Sequence, residues 1–113
     1  MKAIVCGGRY YADKAKLEAE LDTWMHADNF EIAHGNAKGA DTLADIWAKS
    51  RGIKVTPFPA DWARHGKSAG PKRNQRMLDE YKPNFIIAFP GGKGTADMIR
   101  RATMAGVAVH IVK

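Results

Sequence analysis

The chain has 113 residues, of which 45% are hydrophobic and 27% are charged, and its formal net charge is +6. This length predicts a single domain over residues 1–113, large enough for one hydrophobic core and too short for a second domain. No apolar run reaches the length of a membrane span, and the single cysteine, Cys6, excludes an internal disulfide, so we expect a cytoplasmic protein that contacts no membrane. The positive net charge favours anionic partners.

Apolar runs and helix-period segments alternate along the whole chain. The strand-like runs cover residues 2–6, 30–34, 53–58, 85–89 and 107–112. The helix-like segments cover residues 13–27, 40–50, 71–81 and 95–105, and residues 60–70 are predicted to form a long loop. Such alternation is typical of an α/β fold, here with a five-stranded, mostly parallel sheet and helices on both faces.

Helical spacing also predicts which side chains are buried and where the helices begin. The residues expected to face the core are Leu17, Leu21 and Trp24 or Met25 in the first helix, and Leu43, Ile46 and Trp47 in the second. Pro71 suits the first helical position of the third helix. Thr95 is predicted to be the N-cap of the last helix, with Asp97 in its first turn.

The segments that follow the strands are candidates for a binding site. In a parallel sheet with helices on both faces, ligands bind outside the carboxyl ends of the strands. Glycine-containing or polar loops follow the first four predicted strands, at residues 7–9, 35–41, 60–70 and 90–95. We therefore expect these four segments to meet at one edge of the sheet.

The most informative of these segments is the glycine turn at residues 90–95, PGGKGT. A turn of this kind between a strand and a helix brings bare backbone N–H groups and the positive end of a helix dipole to an anion. A tight turn without a ligand is the alternative, but three glycines in four positions are more than such a turn requires. The turn therefore predicts a phosphate site.

Two common phosphate motifs are excluded by single residues. A dinucleotide fingerprint needs a third glycine where Asp97 stands, and a P-loop ending at residues 66–68 would need a glycine where Asp61 stands. The four histidines and Cys6 have no metal-ligand spacing. An ordinary NAD or FAD site, an NTPase and a metal site are therefore not expected.

Four side chains keep two interpretations each. Cys6 is either a nucleophile or, more simply, a small buried residue beneath the first glycine turn. His34 either contacts ligand or packs, and Trp62 either stacks on a base or pins its loop to the sheet. Asp41 either contacts ligand or holds the turn at Gly39.

Three segments carry a resemblance to a known family. They are HGNAKGADTLADIWA at 34–48, FPADWARHGKSAGPKRNQRML at 58–78 and FIIAFPGGKGTADMIRRATMAGV at 85–107. Together with Gly8, Arg9 and Asp13, they resemble the SLOG superfamily, which joins the SMF/DprA and LOG proteins, and above all its small YspA-like, YpsA-related branch. The resemblance covers practically the whole chain. It implies a Rossmann-like three-layer sandwich that binds nucleotides or nucleotide-derived ligands.

Similarity to the LOG proteins bears on catalysis. In those enzymes a P-G-G-x-G-T-x-x-E motif and an arginine on the preceding helix accompany hydrolysis of the N-glycosidic bond of nucleoside monophosphates. Arg73 matches that arginine, but Met98 stands at the position of the final glutamate and Asp97 lies one residue earlier. One residue turns a helical side chain by about 100°. The resemblance thus implies Arg73 and Asp97 as candidate catalytic residues. The hydrolysis reaction of the LOG proteins does not follow for this chain, because the final glutamate of the motif is replaced by Met98.

Three functions follow as hypotheses. The first is binding of a nucleotide, a nucleotide sugar, an ADP-ribose-like molecule or a cyclic nucleotide for sensing, sequestration or processing. The second is LOG-like phosphoribohydrolase activity, and the third is DprA-like binding of single-stranded nucleic acid through the basic residues of segment 64–76. No cofactor is predicted. Small members of this kind are bacterial or phage proteins, and relatives often pair, so a homodimer or larger oligomer is expected.

The predicted ligand contacts divide by chemistry. Glycine backbone and Thr95 would hold phosphate, arginine and lysine side chains would neutralise its charge, and Asp41 and Asn74 would bond ribose or base. The complete predicted set is Gly8, Arg9, Gly35, Gly39, Asp41, Lys72, Arg73, Asn74, Gly91, Gly92, Gly94 and Thr95.

Overall fold

A computed structural model describes residues 1–113 and contains five strands and five α-helices. The strands are β1 (Lys2–Cys6), β2 (Glu31–His34), β3 (Lys54–Pro57), β4 (Phe85–Ala88) and β5 (Ala108–Ile111). The helices are α1 (Lys14–Asp22), α2 (Ala40–Ser50), α3 (Trp62–His65), α4 (Ala69–Tyr81) and α5 (Lys93–Met104), with a 3₁₀ turn at Gly66–Ser68. None of the helices combines the length and apolarity needed to cross a lipid bilayer.

All five strands are parallel and lie in the order β3-β2-β1-β4-β5. β1 is central, with Ala3 opposite Ile32 on one side and opposite Phe85 on the other. The chain first winds outward through β2 and β3, then crosses back to β4 and β5. The predicted α/β fold is confirmed, and the sheet is parallel throughout.

Alternate residues of the central strand face two separate cores, which makes the molecule a three-layer sandwich. Ala3 and Val5 pack with residues of α1 and α2, including the fully buried Leu17 and Trp47. On the other face, Ile4 and Cys6 pack with residues of α4 and α5. These β1 side chains are 0–9% exposed, as expected for a strand covered by helices on both faces. The expected Rossmann-like architecture is confirmed.

The first two helices differ from the predictions in extent and in one inward residue. α1 ends at Asp22 rather than at residue 27, and the Thr23 hydroxyl donates to the Glu20 carbonyl at 2.6 Å. Trp24 follows in a turn and still packs against the core. Ile46, predicted to face inward, is 51% exposed, because α2 turns Ala44, Trp47 and Ala48 toward the sheet.

The segment predicted as a long loop at 60–70 contains helical structure instead. Asp61 begins α3 by accepting a hydrogen bond from the Arg64 amide at 3.1 Å. α4 then starts at Ala69, so Pro71 lies third in the helix rather than first. Proline is tolerated there because amides of the first helical turn need no intrahelical acceptor.

The last helix also starts earlier than predicted. Gly92 is its N-cap, and the Ala96 amide donates to the Gly92 carbonyl at 3.0 Å. Thr95 is therefore inside the first turn, and the prediction that it caps the helix is wrong. Its side chain lies instead against Gly91, at a distance that leaves no room for a side chain at position 91.

Candidate functional site

A cleft of about 1080 Å³ lies over the carboxyl ends of β1, β2 and β4. Its walls come from the loops after these strands, from α3 and α4, and from the first turns of α5. The strand order reverses between β1 and β4, and such a reversal opens a crevice between the loops of neighbouring strands. The topology therefore places the cleft where ligands of parallel sheets usually bind.

Close backbone contacts hold the glycine turns of this edge together. The Gly8 amide donates to the Pro90 carbonyl at 2.9 Å, which joins the loops after β1 and β4. A Cβ at Gly91 would lie 2.6 Å from the Gly8 nitrogen, and one at Gly39, which has φ 77°, would lie 2.6 Å from the Arg9 carbonyl oxygen. Several glycines of the predicted site thus let three loops approach one another.

The start of α5 presents a row of unpaired donors. Backbone N–H groups of residues 91 to 95 donate to no protein atom, and neither does the Thr95 hydroxyl. All five residues line the cleft. A Cβ at Gly92 or Gly94 would meet nothing within 4 Å, so the backbone is open at these two positions. The segment can accommodate an anion at a helix N-terminus.

Cations outnumber carboxylates around the cleft. The five cationic side chains that line it are Arg9, Lys67, Arg73, Lys93 and Arg100, against the carboxylates Asp41 and Asp97. Arg9 forms no hydrogen bond or ion pair, and its guanidinium lies 5.4 Å from the centre of the Trp62 ring. An unpaired guanidinium of this kind is suited to bidentate contact with phosphate.

Arg73 is fixed at the floor of the cleft. Its Nη1 donates to the Gly35 carbonyl, and its Nε donates to Asn74 Oδ1 at 3.0 Å. Burial lowers the pKa of Arg73, while the negative charge of Asp41 acts to raise it. A Cβ at Gly35 would lie within 3.0 Å of the guanidinium, so the arginine needs glycine at that position.

Asp41 holds the turn that follows β2. Its Oδ2 accepts hydrogen bonds from the amides of Gly35 and Ala37, both at 3.1 Å. Burial raises the pKa of Asp41, against the opposing effects of the Ala37 hydrogen bond and of the Arg73 charge. Of its two interpretations, the turn-holding role is the one that these contacts support.

Asp97 is buried with both carboxylate oxygens bonded. Oδ1 accepts from Arg100 at 2.6 Å, and Oδ2 accepts from Arg101 at 2.8 Å and from Asn74 at 3.0 Å. Burial acts to raise the pKa of Asp97, but the hydrogen bonds from Asn74 and Arg101 and the nearby arginine charges bring it below its ordinary value. The carboxylate is therefore ionised and already engaged.

Cys6 and His34 have structural surroundings. Burial raises the pKa of the Cys6 thiol to about 12, with a further contribution from Asp41, so the thiolate needed for nucleophilic attack is disfavoured. His34 is 1% exposed; its Nε2 lies 2.9 Å from Asp45 Oδ1, and its Nδ1 accepts from the Asn36 amide at 2.9 Å. Both residues fit the packing interpretation.

Ten of the twelve predicted ligand-contact residues line the cleft, as does Asp97. Gly39 lies outside it, packed on the Gly8–Arg9 backbone. Lys72 also lies outside, in a groove between α4 and α5, with its Nζ 3.3 Å from His65 Nδ1. On a helix, adjacent residues point in different directions, which separates Lys72 from Arg73.

The cleft also has lining residues that sequence reasoning did not select. They include Tyr10, Tyr11, Lys67, Lys93 and Arg100. Lys93 lies within the glycine turn at residues 90–95, and the two tyrosines directly follow Gly8 and Arg9. Their positions next to glycine turns could have identified these three residues as cleft residues from the sequence. No group of three or more His, Cys, Asp or Glu side chains is placed to hold a metal ion.

Comparison with known proteins agrees with this architecture. A family model described as "YspA, cpYpsA-related SLOG family" matches residues 1–65. The chain belongs to this SLOG family. A relative, the Gene 61 protein of Mycobacterium phage D29, is 35% identical over 117 residues, which span 96% of this chain and 93% of the phage protein. The predicted SLOG resemblance is confirmed, and SLOG membership points to binding or processing of a nucleotide-related ligand.

Proposed function

We propose that this SLOG protein binds a nucleotide or nucleotide-derived ligand through its phosphate, which would lie at the N-terminus of α5. The observation that carries the proposal is the run of unpaired N–H groups at residues 91–95, in a cleft with five cationic and two carboxylate side chains. Each hydrogen bond from such a donor to a charged group contributes about 1.5–3 kcal/mol. The helix dipole adds about 0.3–1 kcal/mol.

The neighbouring side chains have complementary roles in this proposal. Arg9 is free to neutralise phosphate, since no protein acceptor engages it. Arg73 supplies positive charge from a fixed position beneath the ligand, and Asn74, bonded to Arg73 and Asp97, holds that arrangement. Binding of this kind would serve sensing, sequestration or processing of the ligand.

The contacts favour binding over LOG-like hydrolysis. Met98, at the position of the glutamate in the LOG motif, is fully buried in the core between the sheet and α4 and α5. Asp97 has no free carboxylate oxygen with which to activate water or stabilise a sugar cation. We therefore limit the proposal to binding; release of free base from a nucleoside monophosphate would require extending it.

Replacement of Lys93 separates the contribution of the backbone N–H from that of the side chain. Lys93 is the first residue of α5, where proline fits the backbone and its missing N–H breaks no protein hydrogen bond. Lys93→Pro removes one donor of the cradle and one cation, whereas Lys93→Ala removes the cation alone. We expect Lys93→Pro to bind AMP and inorganic pyrophosphate about tenfold more weakly than Lys93→Ala, by isothermal titration calorimetry.

Thermal unfolding of both variants provides the control for fold. Equal affinity of the two folded variants for AMP and pyrophosphate would show that the backbone donors do not contact the anion. Absence of any binding by the unmodified protein to AMP, ADP, ADP-ribose, cyclic nucleotides and pyrophosphate would exclude the proposed function as a whole.

A further inference from the structure

Two large aromatic side chains are exposed where the cleft opens. Tyr10 is 96% exposed and Trp62 is 48% exposed, and both line the same cleft as the α5 N-terminus. Tyr10 follows β1 by four residues, and Trp62 is the first residue of α3. The cleft thus presents exposed aromatic side chains as well as backbone donors.

Trp62 is held in position without being covered. A Cβ at Gly70 would lie 3.3 Å from Cη2 of the indole, so the ring edge rests on the backbone of α4. The guanidinium of Arg9 lies 5.4 Å from the ring centre. The ring is thus contacted at its edge by Gly70 and on a face by Arg9, while about half of the residue's surface stays accessible.

We infer that Trp62 is the stacking surface for a planar base, so the ligand proposed above is a nucleotide that retains its base rather than a sugar phosphate. The inference rests on the proposed function, because the phosphate cradle fixes one end of the ligand. Indole is a preferred partner for the faces of nucleobases, and guanidinium planes stack on bases as well. Arg9 lines the same cleft with its guanidinium 5.4 Å from the centre of the Trp62 ring, so a base that stacks on the indole would also lie near this cation.

The base contribution is measured with two matched ligands. AMP and ribose 5-phosphate share the phosphate and the ribose and differ by the base. We expect the unmodified protein to bind AMP at least tenfold more tightly than ribose 5-phosphate. In Trp62→Leu, which keeps an apolar side chain against Gly70, AMP affinity should fall about tenfold while ribose 5-phosphate affinity stays within twofold; Trp62→Phe should recover most of the loss.

Intrinsic fluorescence gives a second readout, because the three tryptophans differ in exposure. Trp47 is fully buried and Trp24 packs against the core, so Trp62 is the one placed to contact ligand. AMP should quench the emission of the unmodified protein but leave that of Trp62→Phe unchanged, and ribose 5-phosphate should quench neither.

The outcomes separate this inference from the proposed function. Equal affinity for AMP and ribose 5-phosphate, or an equal loss of both in Trp62→Leu, would overturn base stacking and assign Trp62 to pinning α3, while the phosphate cradle would stand. Binding of neither ligand would overturn base stacking of AMP, and the proposed function would fall with it only if ADP, ADP-ribose, cyclic nucleotides and pyrophosphate also failed to bind. Chromatography of the titrated AMP verifies that the base is still attached.

Discussion

At the scale of single residues, the charged side chains of the cleft differ in whether protein partners already engage them. Asp41 and Asp97 are both buried at the cleft, but their hydrogen bonds serve the protein: Asp41 orders backbone amides, and Asp97 gathers Asn74, Arg100 and Arg101. Both oxygens of Asp97 are thus engaged, whereas Asp41 is held through Oδ2 alone and its Oδ1 accepts no hydrogen bond from the protein. Arg9, in contrast, has no carboxylate partner and is available to an incoming anion.

Asp97→Asn tests how far this carboxylate stabilises the fold. The pKa of Asp97 is lowered in the folded state, so its contribution is present above the unfolded value of about 3.9 and is lost as the pH falls through the folded value. We expect Asp97→Asn to lower the free energy of unfolding at pH 7 by about 1–3 kcal/mol. Between about pH 5 and pH 2 the variant should lose less stability than the unmodified protein.

Urea unfolding at several pH values measures this difference. Asp28→Asn is the matched control, because Asp28 is exposed and its carboxylate makes no hydrogen bond or ion pair. A variant at Asp97 that follows the unmodified protein at every pH would show that the arginine and asparagine contacts contribute nothing to stability.

At the scale of elements, the site depends on turns that approach one another through glycine. The loop after β1 touches the loop after β4 and the start of α2, and α2 and α5 begin from the loops that meet there. Some glycines of the PGGKGT segment are needed for this packing, while others leave the backbone open to the cleft. The PGGKGT segment thus contains Gly91, which the packing of the loops requires, as well as Gly92 and Gly94, where the backbone is open to the cleft.

Two alanine substitutions distinguish these requirements. At Gly91 a Cβ would collide with Thr95 and the Gly8 backbone, whereas at Gly92 it would meet nothing within 4 Å. We expect Gly91→Ala to lower the free energy of unfolding by about 1–3 kcal/mol, as overpacking does. Gly92→Ala should cost less, about 0.5–1 kcal/mol, because the added Cβ meets no neighbour and the loss is confined to replacing the glycine N-cap of α5 by alanine. Chemical denaturation measures both, and equal stability of the two variants would contradict this division of roles.

At the scale of the whole molecule, the net charge of +6 attracts anions, and the cleft concentrates part of it. We expect the affinity for AMP to fall several-fold between about 50 mM and about 500 mM NaCl, because salt screens exposed charges. Calorimetric titration at the two salt concentrations checks this. Affinity that is unchanged or higher at high salt would show that electrostatic attraction does not contribute to binding.

The salt dependence of affinity, measured with single-stranded nucleic acid in place of AMP, tests nucleic-acid binding. The basic segment 64–76 is divided by α4: Lys67 and Arg73 line the cleft, while Lys72 and Arg76 line the outer groove. A strand bound by the whole basic segment would have to contact both surfaces. Steep salt dependence and affinity that grows with strand length would favour nucleic-acid binding over binding of a small ligand.

Association into a homodimer or larger oligomer stays a prediction, measurable by sedimentation.

The sequence alone predicted much of this protein because its strongest signals are local. Strand and helix alternation predicted the parallel α/β class, and the glycine turns and Arg73 indicated the edge of the sheet at which the cleft lies. Helix boundaries were less predictable, since they depend on which capping contact forms: Gly92 caps α5 in place of Thr95, and Asp61 starts a helix within a predicted loop.

Only the tertiary structure decided which candidates share the cleft and which are free to act. Lys72 and Arg73 are adjacent in sequence but face different grooves, and Gly39 is used in packing. Asp97, a candidate catalytic acid by its motif, is engaged by three donors from two helices. A residue type and its spacing fix what a side chain is able to do, whereas its availability depends on partners brought together from distant parts of the chain.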